Sequence, residues 1–177
     1  MCDRRSEPGQ PNRAAAVKLV TDTSPLIFLA KIDGLALLEG CFVEVLAPPV
    51  VVQEARLRLP DFIRRTELSE LGEAYVRGAI GALHRGELEA IVLAREASAD
   101  LVALDDRGAR VRARQLGVMP IGTVGLLLLG HRRGLIDAAG AARQIDALVQ
   151  DHGLYLSASV LQRVRTELKQ GNEQLIR

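Results

Sequence analysis

From Val17 onward, short apolar runs alternate with longer stretches of helical periodicity, the pattern of strands joined by crossover helices in a layered α/β domain. Residues 17–21 read as a first strand that stops at Asp22, with Ser24 as cap and Pro25 in the first turn of the helix that follows. A second helical stretch crosses residues 35–38. Residues 42–46 read as the second strand, closed by Pro48 and Pro49 and followed by a helix through Val52, Glu54 and Ala55. Residues 59–67 lack a regular pattern. Helices are expected over 68–83 and 86–98, and the continuous apolar run 101–104 suits a strand covered on both faces. That run stops at Asp105 and Asp106. A helix over 107–116 ends at Gly117, residues 118–121 form a last short strand, and Thr123 caps the next helix. Two further amphipathic patterns, 138–149 and 157–168, flank Asp151-His152-Gly153. The sheet is expected to be mainly parallel. Three segments result: a disordered tail over 1–16, a core domain over 17–133, and a helical extension over 134–177 packed on the same domain.

Composition narrows the class. The chain has 177 residues, 48% of them apolar, enough for one domain to bury a core without metals or disulfides. Its two cysteines, Cys2 and Cys41, offer no disulfide framework, which points to a reducing, cytoplasmic setting. The longest apolar stretch, 124–130, is far below the roughly 20 residues of a membrane span, so no membrane association is expected. A net charge of +1 makes no global case for nucleic acid, so any electrostatic footprint must come from local clustering of the 23 basic residues.

The carboxylates carry the chemistry. In open parallel sheets, functional groups collect outside the carboxyl ends of the strands. Two strands end there in Asp: Asp22 and Asp105. Alone, Asp22 reads as a helix cap and Asp105-Asp106 as the start of a turn. Together, adjacent carboxylates after a buried strand repel one another unless solvent or a cation intervenes, and a cation site becomes the better reading. Glu54, Glu87 and Glu89 lie near helix starts, where each alone suits the helix dipole. Glu87 and Glu89 are two positions apart, about 200° around a helix, so both do not face one small site, and periodicity does not choose between them.

In order along the chain stand Val-Thr-Asp-Thr-Ser-Pro-Leu-Ile from Val20, Pro-Pro-Val-Val-Val-Gln-Glu from Pro48, Arg-Gly-Glu-Leu-Glu-Ala-Ile-Val-Leu-Ala from Arg85, Asp-Leu-Val-Ala-Leu-Asp-Asp from Asp100 and Ile-Gly-Thr from Ile121. This series resembles PIN-domain proteins, and most of all the branch related to VapC-type toxin ribonucleases. The resemblance implies an α/β/α fold and a divalent-metal ribonuclease whose carboxylates fall on Asp22, Glu54, Glu89 and Asp105, with Glu87 and Asp106 as the next candidates. It also implies a cognate antitoxin, a homodimer and RNA as substrate. Two positions depart from the toxin pattern: Glu89 stands where those toxins usually have Asp, and Ala103 where they often have Thr.

An all-oxygen cluster suits Mg²⁺ or Mn²⁺. Thr23, Ser24 and Thr123 are candidates to bind substrate phosphate, although helix capping explains Ser24 and Thr123 equally well. Arg107, Arg110 and Arg114 share a helix face beyond the site and are candidates for the RNA backbone, against the plain reading of a solvated arginine face. His84, His131 and His152 lack metal-like spacing, and neither a dinucleotide fingerprint nor a P-loop is present. The competing function is a non-catalytic PIN scaffold that binds RNA or protein.

Overall fold

The computed structural model describes residues 17–79, 81 and 83–174, so the tail expected over 1–16 lies outside the described residues. The elements follow in the order β1 (Lys18–Thr21), α1 (Thr23–Lys31), α2 (Ala36–Cys41), β2 (Glu44–Ala47), α3 (Pro49–Ala55), β3 (Ile63–Arg65), α4 (Glu70–Ala79), α5 (Arg85–Glu96), β4 (Leu101–Ala103), α6 (Arg107–Gln115), β5 (Met119–Ile121), α7 (Thr123–Arg132), α8 (Ala138–Gln150) and α9 (Ala158–Gln174). The sheet has the order β3-β2-β1-β4-β5, and each adjacent pair is parallel. The expected α/β class with a parallel central sheet is what the chain forms.

Strand alternation builds two cores, because successive side chains leave opposite faces of a sheet. Leu19, Val45 and Ala103 face one cluster, shared with α1, α2 and α7. Val20, Leu46 and Val102 face the other, shared with α5 and α6. Both faces are covered, which is why these strands read as apolar runs rather than as alternating ones. Ala141, Ile145, Leu148, Leu154, Val164 and Leu168, from α8, α9 and the segment between them, enter the first cluster. The helices after Gly134 therefore extend this cluster by packing on α7.

Both edges are poor templates for further pairing. β5 carries Pro120, which has no amide N–H to donate, and β3 carries the exposed Arg64 and Arg65. β3 lies in the stretch whose sequence pattern is irregular. Only Ile63 of its three residues is buried, so an edge strand this short leaves no periodic trace. The helix starts also differ from expectation. Of the two cap readings for α1, Asp22 rather than Ser24 occupies the N-cap, and Gly122, not Thr123, occupies that of α7.

The strand order places the crevice. From β1 the chain winds outward through β2 to β3, then returns across the sheet to β4 and continues outward the other way to β5. Crossovers therefore diverge at the β1–β4 junction, and in such sheets that junction leaves an open cleft at the carboxyl edge. Thr21 pairs with Ala103 there, and the Asp22 amide donates to the Ala103 carbonyl at 3.1 Å. Asp22 and Asp105 end the two strands that flank the cleft.

Candidate active site

Asp22 is 5% exposed and sits at the α1 N-cap without a side-chain capping hydrogen bond. The capping position alone therefore does not account for this buried carboxylate, although the Thr23 and Ser24 amides lie against it. Burial raises its pKa from 3.8 to about 6, opposed by the amides of Thr23 and Ser24 and reinforced by the negative charges of Glu87 and Glu54.

Glu54 reaches the same place from α3. Its Oε2 accepts a hydrogen bond from the Thr23 hydroxyl at 3.1 Å. Gly86, the second residue of α5, leaves the space into which both acids project. A Cβ built there would lie 3.0 Å from Glu54 Oε2 and 3.2 Å from Asp22 Oδ1. Two carboxylate oxygens thus converge on a point kept open by the missing side chain.

Glu87 completes the group. It is 8% exposed, accepts the His84 amide N–H at 3.0 Å, and burial raises its pKa, with the charges of Asp106 and Glu54 adding to the rise and the His84 amide opposing it. Asp106 caps α6 by accepting the Ala109 amide at 2.8 Å. Asp22, Glu54 and Glu87 repel one another across the cleft, with Asp106 beside Glu87 on its rim.

Asp105 and Glu89 are turned to other partners. Asp105 faces β5 and α7, where Thr123 donates its backbone amide to Oδ1 at 2.8 Å and its hydroxyl to Oδ2 at 2.6 Å. Burial raises the Asp105 pKa against these two donors and the nearby Arg110 guanidinium. Glu89 accepts from Arg85 Nε at 2.6 Å, one turn back on α5. It borders a separate pocket with Gln53, Glu67 and Glu73.

Among the remaining candidates, Thr23 holds Glu54, while Ser24 is exposed. Arg110 is half-buried beside Asp105, and Arg107 and Arg114 are exposed on α6. Arg112, on another side of that helix, donates to the Tyr75 hydroxyl at 2.7 Å. His131 is buried and contacts the Ile136 carbonyl through Nδ1, a structural role. Gly86 is the residue that sequence reading passed over. Its only signal is a small residue in the first turn of a helix, directly before Glu87.

Among the described residues, no three His, Cys, Asp or Glu side chains are gathered closely enough to enclose a metal ion as they stand. The arrangement is a pair of oxygens, from Asp22 and Glu54, over Gly86 with the charge of Glu87 acting on Asp22, rather than a closed cage. The raised Asp22 and Glu87 pKa values and the convergence of carboxylate oxygens on the gap above Gly86 nevertheless fit a hydrated cation. Octahedral Mg²⁺ keeps several of its waters and takes few protein oxygens.

Thr123→Val tests how firmly Asp105 is held. The substitution keeps the shape of a fully buried side chain and removes its hydroxyl donor. It is expected to cost about 1–3 kcal/mol in urea unfolding and to raise the Asp105 pKa further. Unchanged stability would mean that the hydroxyl contributes nothing to fixing Asp105.

None of the described helices is long and apolar enough to cross a membrane. No curated protein matches the chain. A family model described as PIN domain matches residues 18–170, a span that runs from β1 into α9 and takes in every carboxylate described above. The chain belongs to the PIN-domain family, whose members are typically nucleases.

Proposed function

We propose that this protein is a divalent-metal-dependent endoribonuclease in which Asp22, Glu54 and Glu87 hold Mg²⁺ or Mn²⁺ and Asp105 acts at the neighbouring edge of the same cleft. The observation that carries this reading is the convergence of Asp22 and Glu54 on the gap above Gly86, with Glu87 charged against both. Buried like charges cost stability, and a cation is the simplest partner that turns the cost into binding.

The chemistry supplied by such a cation is neutralisation of charge on a phosphodiester and a lowered pKa for water. The chain's own residues do the rest. Thr23 fixes Glu54 toward the gap, Thr123 fixes Asp105, and Arg110 offers a positive charge beside Asp105 for a phosphate. The site needs no covalent intermediate.

The toxin assignment rests on the likeness of the five sequence motifs to the PIN branch related to VapC-type toxins, from whose pattern Glu89 and Ala103 depart. It carries with it a cytoplasmic location, a homodimer and a small antitoxin protein that masks the cleft. The direct test incubates the purified full-length chain with single-stranded RNA, with and without Mg²⁺ or Mn²⁺. Cleavage that requires the ion, together with growth arrest on expression of the chain alone, is expected. RNA that is bound but never cut with either ion present would favour the non-catalytic scaffold instead.

A further inference from the structure

A cavity of about 400 Å³ opens on the β5–α7 side of Asp105, the carboxylate that follows the strand flanking the cleft. Its walls are β5, the first turns of α7, the segment at Leu154–Leu156 and the face of α9 that carries Val160, Arg163, Val164 and Glu167. Asp105 and Arg110 stand at one end, Leu128 and Val160 form an apolar side, and Tyr155 and Arg163 stand on the lip.

Charge and exposure decide what this cavity suits. Asp105 already accepts two hydrogen bonds from Thr123, and Glu167, also on the rim, is paired with Arg132 at 2.6 Å. Among the described residues neither Arg110 nor Arg163 forms an ion pair within 4.0 Å. Arg110 lies near the Asp105 carboxylate without closing an ion pair on it, and Arg163 closes none, so both guanidiniums keep donors for a further anion. Tyr155 is 88% exposed, a phenol ring held in water at the mouth. A purely apolar ligand leaves the two arginines unused, and a free phosphate leaves the apolar wall unused. A nucleotide uses both, with its phosphate on guanidinium donors and its base against aliphatic and aromatic surface.

We propose that this cavity is a nucleotide subsite that takes the residue of a single RNA strand next to the bond at the carboxylates, its phosphate engaged by Arg110 and Arg163 and its base packed on Tyr155. The identity of the ligand rests on the nuclease reading, and the geometry of the subsite does not. The volume accommodates one splayed-out nucleotide and excludes a duplex, which fits how proteins read single strands. The α8–α9 extension then does more than close the core: with the Leu154–Leu156 segment it supplies half of the strand-binding surface.

The test uses the full chain with a short 4-thiouridine-labelled single-stranded RNA and no divalent ion, so that binding is read apart from cutting. Photocrosslinks are expected within residues 154–163, and Tyr155→Ala and Arg163→Ala should each weaken binding about tenfold by fluorescence anisotropy. Arg163→Ala should also reduce the salt dependence of binding by about one ion, which a purely structural role would not do. Both positions are exposed, so circular dichroism of the variants should match the wild type. Crosslinks confined to other elements, or unchanged affinity in both variants, overturn the proposal even if the wild type cuts RNA. Variants that alter the oligomeric state by light scattering but not RNA affinity make the cavity a protein-docking surface and overturn it equally. Full binding effects in a wild-type chain that never cuts would sink the nuclease reading and leave the subsite standing.

Discussion

Replacing Asp22 by Asn is expected to lower metal-supported RNA cleavage at least about 100-fold while making the ion-free protein more stable at neutral pH. The rate effect follows from removing one of the charges that converge above Gly86. Loss of a mere supporting partner at a metal site already costs roughly 10–100-fold, and Asp22 is proposed to hold the ion itself. The stability effect has the opposite sign. Burial raises the Asp22 pKa from 3.8 to about 6, so the folded chain keeps a proton that the unfolded chain releases. An acid raised in this way stabilises the fold at low pH and ceases to do so as pH climbs from about 4 through about 6. Two pKa units correspond to about 3 kcal/mol lost over that window. Asn has no such titration, so the variant should match the wild type near pH 4 and melt several degrees higher near pH 7. Glu87 and Asp105 are raised in the same direction, so the pH slope should shrink rather than vanish. Mg²⁺ or Mn²⁺ should close the gap by stabilising the wild type more than the variant. A variant that cuts at the wild-type rate removes Asp22 from the mechanism, and one that melts below the wild type at pH 7 removes the repulsion argument.

The fold was legible where burial imposed a pattern on the chain. Both faces of β1, β2 and β4 are covered, so each appears as an apolar run, and the Asp that ends β1 and the pair that follows β4 mark where the cleft lies. Gly117, at φ +78°, ends α6 as its position after an amphipathic stretch implies. β3 was not legible because an edge strand with one buried residue has no period to detect. Of the expected caps, Ser24 for α1 and Thr123 for α7 fall one or two residues late for a different reason, while the Asp22 reading holds. Ser24 and Thr123 have the right chemistry for caps, but backbone conformation, not side-chain type, decides where a helix begins. The Asp105 carboxylate, from another loop, accepts the Thr123 amide and thereby satisfies a helix N-terminus that Gly122 cannot cap by itself.

The site was legible as a set of carboxylates but not as a set of directions. Long-range contacts fix which oxygens meet, and these leave no local signal. Thr23 reaches Glu54 across 31 positions and Thr123 reaches Asp105 across 18. The cavity beside Asp105 lies further still from sequence reading, since Arg110, Tyr155 and Arg163 belong to three separate elements that only the packing of α9 on α7 brings together.

Glu87→Gln and Glu89→Gln should separate sharply, because α5 points these two acids at different neighbours. Every residue from Gly86 to Ala94 is buried, so this stretch has no polar face by which a sequence pattern picks the working acid. Glu87 is the one whose charge acts on Asp22, and its Oε2 accepts the His84 amide. A Gln at that position retains a carbonyl oxygen for the same hydrogen bond, so the start of α5 should survive while the charge is lost. Cleavage and calorimetric Mn²⁺ affinity should both fall about 100-fold or more, with the melting temperature at pH 7 unchanged or higher. Glu89→Gln should do little to cleavage, within about threefold, because its carboxylate is engaged by Arg85, whose side chain is 64% exposed and readily solvated. Loss of that pair should cost about 1 kcal/mol or less, since water reaches the guanidinium. The reverse outcome, with Glu89→Gln inactive and Glu87→Gln active, would move the ion to the other side of α5, into the pocket that Glu89 shares with Gln53, Glu67 and Glu73. Asp22 would then be left with a raised pKa and no catalytic role, so the pair of variants decides which face of one helix carries the chemistry.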